Sequence, residues 1–380
     1  MSTPLWHEEW FPALRAARPW LMEEMISAEP PVAEAVAGSD GLAQLTDEVR
    51  RCHAAGEPIS VVGCGTSEHG ARAIAAQLDD AFGHRGVRPV GRQALEAAID
   101  PSPGGLCIGI SHDGATHATR LALDAAREAG ATTALITASP QGPMLAAADL
   151  VVVTPTQDRS WCHTVGYSSP LVVGAVIAGS VADRPVDPAV LRAHLDDCLQ
   201  VRQSAAEIAA NLAGVEHLVV VGGGYDRISA DEFVLKVEEG LHLPSAARDL
   251  ETFLHGHLPA CDERTGLVIF ATEHRGRPRR TDRGRLLLRA ARRVGMPCAA
   301  IMVPAVESVW GRELTNAGRI MLPHAARLLP TTSALCASAM ALQLLTLELV
   351  HARGTYPDLI RREQEAWRDA AAITEGDNVW

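Results

Sequence analysis

The sequence predicts an α/β protein with two similar halves, each a parallel β-sheet flanked by helices in a three-layer αβα sandwich. Short apolar runs alternate with helical stretches rich in Ala and Leu, and the second half repeats this layout at an offset of roughly 160 residues. Aromatic residues make up only 4% of the chain, which favours close packing of helices on sheets. Strands that alternate with helices predict βαβ units with right-handed crossovers.

Eight apolar runs have the length of buried parallel strands. Those of the first half are residues 59–62, 106–110, 133–137 and 150–153, and those of the second half are residues 218–221, 267–271, 299–303 and 320–322. Parallel sheets of this kind bind ligands beyond the carboxyl ends of their strands. We therefore expect the functional residues to follow these runs directly.

The chain is long enough for two hydrophobic cores, with 380 residues of which 47% are hydrophobic. A polar stretch at 182–188 leads into a linking helix, which places the boundary between Val181 and Ala206. The predicted parts are an N-terminal helical segment (1–40), a first domain (41–200) and a second domain with a C-terminal helix (201–380). The spacing of Met22, Met25 and Ile26 is amphipathic, so the N-terminal segment should pack on the body or on a partner subunit.

Composition argues against several classes of partner. The net charge of -12 is unsuited to a phosphate backbone, so no nucleic-acid partner is expected. The eight cysteines are scattered without a CxxC pair, which is typical of reduced thiols in a cytoplasmic protein. The acidic start, with Trp6, Trp10 and Trp20, is no secretory signal, and no apolar run has membrane length. A soluble cytoplasmic protein without a membrane partner is predicted.

Two small polar loops follow the first two strands. Glycines permit tight turns, and amides at a helix start can hold an anion or a sugar oxygen. The alternative is a pair of capped turns in which hydroxyls satisfy the first amides of each helix. Two such loops on adjacent strands favour one shared pocket, lined by Cys64, Gly65, Thr66, Ser67, Ser111, His112, Asp113 and Thr116.

Lys236 is the single lysine in a chain with 33 arginines. Its retention indicates a position that needs a compact, titratable ammonium, which a guanidinium cannot replace. On a helix, Glu239 lies one turn away on nearly the same face, whereas Glu238 points elsewhere. The alternatives are an exposed Lys236 paired with Glu232 and a solvated Glu239.

The CGTS turn at 64–67, the SxxGxT loop at 111–116 and the run from Lys236 through Glu239 to His255 and Gly256 resemble tandem sugar isomerase (SIS) domain enzymes. The likeness is to the isomerase half of glucosamine-6-phosphate synthase and to related sugar isomerases and deglycases. It extends from about residue 22 to about residue 365. It implies two tandem SIS domains, a small-molecule sugar or sugar phosphate as ligand, no cofactor, and a homodimer whose sites are shared between subunits.

The resemblance also implies roles for individual residues. Glu239 matches the carboxylate that moves a proton between C1 and C2, and Lys236 matches the lysine beside it. His255 matches the imidazole that helps to open the sugar ring, which in the family often comes from a neighbouring subunit. The hydroxyls of the two loops match those that hold the substrate phosphate. A stretch with Asp158, Trp161, His163 and Thr164 matches residues that contact the sugar.

Two histidines have other interpretations. His255 could be a loop residue or, with His257, half of a metal pair, but no third ligand follows at a recognisable spacing, so no metal site is predicted. His163 could be a packed or capping histidine.

Three departures from the family pattern affect the expected chemistry. Asp113 replaces a serine of the phosphate loop, and Ala115 stands where glutamate is common. A carboxylate beside a phosphate dianion costs on the order of a few kcal/mol, which favours a substrate without a phosphate: a neutral sugar end or an ammonium, with a phosphate accepted only if Asp113 turns away. The alternative is that Asp113 caps the following helix. The tail carries Arg361, Arg362 and Glu363 but no lysine, which excludes imine chemistry there. No glutaminase domain precedes the first half, so nitrogen transfer from glutamine is not expected.

The leading expectation is an aldose-ketose isomerase acting through an enediol, without a metal, on a sugar that lacks the usual 6-phosphate. One alternative is a deglycase or deaminase that releases an amine from a sugar adduct with the same residues. Another is a non-catalytic sugar-binding regulator.

Overall fold

A computed structural model describes residues 14–376 of the chain. The first 13 residues of the predicted N-terminal helical segment, with Trp6 and Trp10, lie outside the described residues, as do the last four residues. The division into domains at residues 40 and 200 remains a prediction.

From residue 14 onward, the first half contains a five-stranded sheet and eight α-helices. Its strands are β1 (Ile59–Gly63), β2 (Val90–Gln93), β3 (Leu106–Ile110), β4 (Thr132–Thr137) and β5 (Leu150–Val153). Its helices are α1 (Leu21–Val36), α2 (Leu42–Ala55), α3 (Thr66–Ala81), α4 (Ala94–Ile99), α5 (His117–Glu128), α6 (Val165–Val181), α7 (Pro188–Leu199) and α8 (Arg202–Leu212).

The second half repeats the pattern with another five-stranded sheet. Its strands are β6 (His217–Val221), β7 (Ser245–Arg248), β8 (Thr265–Ala271), β9 (Cys298–Met302) and β10 (Gly318–Met321). Its helices are α9 (Asp226–Leu241), α10 (Leu250–Thr252), α11 (Arg277–Val294), α12 (Pro304–Glu307), α13 (Pro330–Arg353) and α14 (Glu365–Gly376).

The two sheets have equivalent topology. The strand orders are β2-β1-β3-β4-β5 and β7-β6-β8-β9-β10, and every strand pair is parallel. The predicted α/β class and its repeated parallel sheets are therefore confirmed. Because β1 and β3 are neighbours, the loops after them emerge side by side at the carboxyl edge of the first sheet.

The two halves share one large hydrophobic core. It runs from the first sheet through α6 and α13 to the second sheet, and it includes Leu171 and Leu345. Contrary to expectation, α13 is long and apolar enough to cross a membrane, but 89% of its most apolar window is buried inside the protein. We regard α13 as the core helix of the molecule.

The helix α1 packs on the body of the first half, against α6 and α7. Met22, Met25 and Ile26 are buried, as the amphipathic spacing predicts. The carboxylate of Asp358, from the tail after α13, accepts hydrogen bonds from the first amides of α1, at Leu21 (2.8 Å) and Met22 (2.9 Å). The helix therefore connects the C-terminal tail to the core.

Candidate active site

The loop after β1 leads into α3 through a turn that only glycine permits. A Cβ atom on Gly63 would come within 2.5 Å of the backbone of Ser67, and Gly65 has a φ of +55°. The turn leaves Cys64 and Ser67 half-buried and Gly65 exposed. Thr66 is buried, and its hydroxyl donates to the carboxylate of Glu232 on α9 at 3.2 Å. This first predicted binding loop is thus fastened to the second half of the chain.

In the loop after β3, Asp113 turns inward. Its Oδ1 accepts hydrogen bonds from the Ser111 hydroxyl at 3.1 Å and from the Ala115 amide at 3.0 Å. The same Ser111 hydroxyl lies 3.0 Å from that of Thr116. No side chain caps the start of α5, so the interpretation of Asp113 as the cap of that helix is wrong. The carboxylate instead occupies donors that an external anion would need.

The stretch 158–166 lies against the second loop. The Asp158 amide donates to Nε2 of His112 at 2.8 Å, and the ring centroids of His112 and His163 are 4.9 Å apart. Burial lowers the pKa of His112, although the charges of Asp158 and Asp113 oppose the shift. Burial lowers the pKa of His163 well below its usual value, and His112 and Lys236 add to this shift. Two neutral imidazoles therefore line this side of the site.

The carboxylate of Asp158 fixes the turn itself. It accepts hydrogen bonds from the amides of Ser160 (3.1 Å), Thr164 (2.6 Å) and Gly166 (3.0 Å). A single carboxylate thus holds the segment that carries Trp161 and His163.

Lys236 lies at the centre of a buried row of charged groups on α9. Its ammonium is fully buried, 2.5 Å from Oε2 of Glu239 and 3.6 Å from Oε1 of Glu232. Burial alone would lower the pKa of Lys236, but the two carboxylates outweigh it and raise the pKa above its usual value. Withdrawal from water raises the pKa of Glu239, against the opposing attraction of Lys236. The pair therefore combines a fixed positive charge with a carboxylate that binds protons more readily than usual.

Glu232 and His69 belong to this row of charged groups, although the sequence analysis did not assign them to the site. Glu232 is fully buried and is no surface partner of Lys236, and Nδ1 of His69 lies 2.6 Å from its Oε2. Thr66, His69 and Arg72, spaced three residues apart on α3, all contact acidic residues of α9. The site is consequently assembled across the two halves, by contacts that no local pattern reveals.

The structure does not bring His255 to Lys236 and Glu239 within one chain. The imidazole is 73% exposed and lies 3.2 Å from the carboxylate of Glu251. His255 lies in a π-helical turn (Phe253–His257) that is broken at Gly256, where φ is +154°. Among the described residues, no cluster of three or more His, Cys, Asp or Glu side chains could hold a metal ion.

The C-terminal tail lies beside the stretch 158–166. The Trp161 amide donates to the carbonyl of Asp358 at 2.9 Å, and the guanidinium of Arg362 lies 4.3 Å from the centre of the Trp161 ring. Thr355 donates to the carbonyl of Gly240, next to Glu239, at 2.9 Å. The guanidinium of Arg362 therefore lies beside the stretch 158–166.

The family model of the SIS domain matches residues 55–178 and 211–348, one match for each half of the chain. The chain belongs to the SIS-domain family. The duplication seen in the two sheets is thus a pair of SIS domains, as the resemblance of the loops implies. Membership of this family supports a small-molecule sugar as ligand.

Individual proteins agree with this assignment. Glutamine--fructose-6-phosphate aminotransferase [isomerizing] 1 of Arabidopsis thaliana is 25% identical over 226 residues, which is 56% of this chain but only 33% of that protein's length. The C-terminal domain of glucosamine-fructose-6-phosphate aminotransferase from Francisella tularensis superposes with a TM-score of 0.76 at 18% identity, covering 91% of this chain and 99% of the other. Tagatose-6-phosphate ketose/aldose isomerase from Escherichia coli superposes with a TM-score of 0.73 at 21% identity, covering 92% of this chain and 97% of the other. At these identities the structural matches establish the shared fold of this SIS-domain chain.

Proposed function

We propose that this SIS-domain protein is an aldose-ketose isomerase in which Glu239 moves a proton between C1 and C2 of an open-chain sugar. The observation that carries the proposal is the buried row of charged groups Glu232, Lys236 and Glu239, in which the side chain of Glu239 is 21% exposed and its carboxyl group has a raised pKa. A base of this kind binds and releases a proton nearer neutral pH than a solvated carboxylate does.

In the proposed reaction, the carboxylate of Glu239 removes the proton from C2 of an aldose. The electron pair forms the C1–C2 double bond, and the carbonyl oxygen becomes the enediolate oxygen. The ammonium of Lys236 stabilises that developing charge. Glu239 then returns the proton to C1. The C2 hydroxyl loses its proton as its oxygen becomes the ketose carbonyl, and the negatively charged oxygen on C1 takes up a proton to become a hydroxyl. Isomerisation requires no external oxidant and no cofactor.

Opening of the sugar ring is assigned to His255 of a second copy of the chain. The imidazole of His255 is exposed and paired with Glu251 rather than with Glu239. This placement fits a residue that acts across a subunit interface. The proposed active unit is therefore a homodimer with shared sites. The cytoplasmic location likewise remains a prediction.

The loops at 64–67 and 111–116 are proposed to hold the far end of the sugar. Asp113 occupies the Ser111 hydroxyl and the Ala115 amide, and its charge repels a dianion. We therefore propose an unphosphorylated sugar end at this position. Cys64, Gly65, Thr66, Ser67, His112, Thr116, Trp161 and His163 complete the proposed binding surface.

Solvent exchange tests the mechanism directly. In D2O, the wild type should incorporate deuterium at C1 or C2 of a hexose substrate, and Glu239→Gln should reduce this incorporation by at least about 10³-fold because the general base is lost. NMR of the recovered sugar measures the effect.

Glu238→Gln is the matched control, because the neighbouring Glu238 is exposed and hydrogen-bonds only locally, to the Ser245 amide at 3.3 Å. It should exchange at the wild-type rate. Undiminished exchange in Glu239→Gln would remove Glu239 from the mechanism. Stabilisation by a sugar without exchange in the wild type would instead identify a sugar sensor.

Mixing two inactive variants tests the shared site. Glu239→Gln and His255→Ala should each be inactive as homodimers, but heterodimers formed by mixing and re-equilibrating them contain one intact site. About a quarter of the wild-type activity should return at equal concentrations, since half of the dimers are mixed. If each site were built from one chain, the mixture would stay inactive.

The second candidate is a deglycase that releases an amine from a sugar adduct. The observation that favours it is the guanidinium of Arg362 over Trp161, a cation suited to a carboxylate on the departing amine. Release of ammonia or of an amino acid during turnover would distinguish this reaction from isomerisation.

A further inference from the structure

Glu29 is a buried acid in the middle of α1. Its side chain is 1% exposed, and neither carboxyl oxygen has a hydrogen-bond partner among residues 14–376. None of the ion pairs formed by the described residues includes Glu29. An ionised carboxylate in this position would be an uncompensated buried charge, which costs several kcal/mol. The geometry therefore favours a neutral carboxylic acid.

Gln343 on α13 has a buried acceptor atom that lacks a donor. Its Nε2 donates to the carbonyl of Thr164 at 3.1 Å, but its fully buried Oε1 has no partner in the described part of the chain. Gln343 and Ser168 are both neighbours of the carboxyl group of Glu29, but neither forms a hydrogen bond with it. A neutral carboxyl group carries one O–H donor, which is the group that the amide oxygen lacks.

Beyond Gln343, hydrogen bonds continue to the candidate site. The Thr164 amide donates to the carboxylate of Asp158 at 2.6 Å, and the Asp158 amide donates to Nε2 of His112 at 2.8 Å. Gln343 is thus connected by hydrogen bonds to His112 through Thr164 and Asp158, and a hydrogen bond from the carboxyl group of Glu29 to Gln343 would complete the connection. Each of these groups is held by the next, so a change at one end alters the geometry at the other.

We propose that Glu29 is a positioning residue whose carboxyl proton is donated to Oε1 of Gln343 and thereby holds the 158–166 turn and His112 in place. When the proton is lost, Gln343 turns its amide nitrogen towards the carboxylate and releases the carbonyl of Thr164. Any effect of this change on the isomerase activity rests on the proposed function. Its effect on the structure of the 158–166 turn does not.

The surroundings of Glu29 set the pH at which this happens. Burial raises the pKa of Glu29 to about 8, and the negative charge of Asp158 adds to the shift, while Gln343 and Ser168 oppose it. The titratable groups that α7 and α13 present are the thiols of Cys198 and Cys336, which interact with Glu29 and whose own pKa values are raised by burial. Ser168 of α6 carries no charge. The described surroundings thus favour the neutral form until pH 8 is approached.

Hydrogen exchange of the 158–166 turn tests the proposal without using turnover. E29Q keeps the shape of the side chain and an amide donor for Gln343 but cannot ionise. Between pH 6.5 and pH 9.0, after correction for the intrinsic exchange rate, wild-type protection of this turn should fall at least about tenfold, since a group of pKa 8 is then mostly ionised. E29Q should keep its protection.

The control is E34Q on the same helix, where Glu34 is half-buried and paired with Arg192 at 2.7 Å. It should follow the wild type. Equal loss of protection in E29Q and wild type, or no loss in either, would overturn the proposal.

Thermal unfolding gives a second measurement. A pKa raised above the unfolded value means that the native state holds the proton longer, so wild-type stability falls as pH rises from about 4.5 to about 8. The Tm of E29Q should therefore rise relative to wild type by several degrees between pH 5 and pH 8.5, and a constant difference would contradict the neutral acid. If both effects appear in a protein without isomerase activity, the proposed function fails while the role of Glu29 stands. If isomerase activity is present and neither effect appears, the role of Glu29 fails while the proposed function stands.

Discussion

Replacing Lys236 by methionine is expected to destabilise the protein by about 3–5 kcal/mol, the usual effect of removing one partner from a buried ion pair. The ammonium is fully buried and lies 2.5 Å from the carboxylate of Glu239 and 3.6 Å from that of Glu232 on α9. Methionine fills a similar volume, so the loss reflects charge rather than a cavity. Urea unfolding at pH 7 measures the change in the free energy of unfolding.

The pH dependence of this loss has a defined sign. Burial raises the pKa of Glu239, and without the ammonium the opposing attraction of Lys236 is lost, so stability should fall as pH rises above about 4.5. The difference between Lys236→Met and wild type should therefore be smaller at pH 5 than at pH 7. Glu239→Gln added to Lys236→Met should restore part of the stability. A change below about 0.5 kcal/mol at pH 7 would show that the ammonium is not required for the fold.

The parallel sheets were predictable because strands that are buried on both faces appear in the sequence as short apolar runs. Two strands were missed, β2 with the sequence VGRQ and β7 with SAAR, since each lies at a sheet edge and lacks an apolar pattern. Each is held by backbone pairing to its neighbour, β1 or β6, and only Ala247 of β7 adds a buried side chain to the core.

The site was predictable only in part. The loops and the Lys236–Glu239 spacing follow from local sequence, because a helix sets the distance between residues three apart. The burial of Glu232 does not, because it depends on α3 packing across from the other half of the chain. Nor does the inward turn of Asp113, since a loop carboxylate can face the ligand or its own backbone with equal local preference.

Asp113→Ser is expected to convert the loop after β3 into one that accepts a phosphate. In the native loop the carboxylate occupies the Ser111 hydroxyl and the Ala115 amide. At a separation of about 5 Å and an effective dielectric near 20, it repels each unit charge of a phosphate by roughly 3 kcal/mol. Even with solvent screening, the affinity for a ketohexose 6-phosphate should rise roughly 10- to 100-fold. Isothermal calorimetry with the phosphorylated and unphosphorylated hexose measures the change.

Asp113→Asn separates charge from shape in this prediction. Its side-chain oxygen can still accept from Ser111 and Ala115, so the loop should keep its turn while losing the negative charge. If charge excludes the phosphate, the asparagine variant should gain most of the affinity that the serine variant gains. If only serine gains, the carboxylate acts by occupying the donors. Equally tight phosphate binding by the wild type would mean that Asp113 turns away when the ligand arrives, and the proposed unphosphorylated substrate would then be wrong.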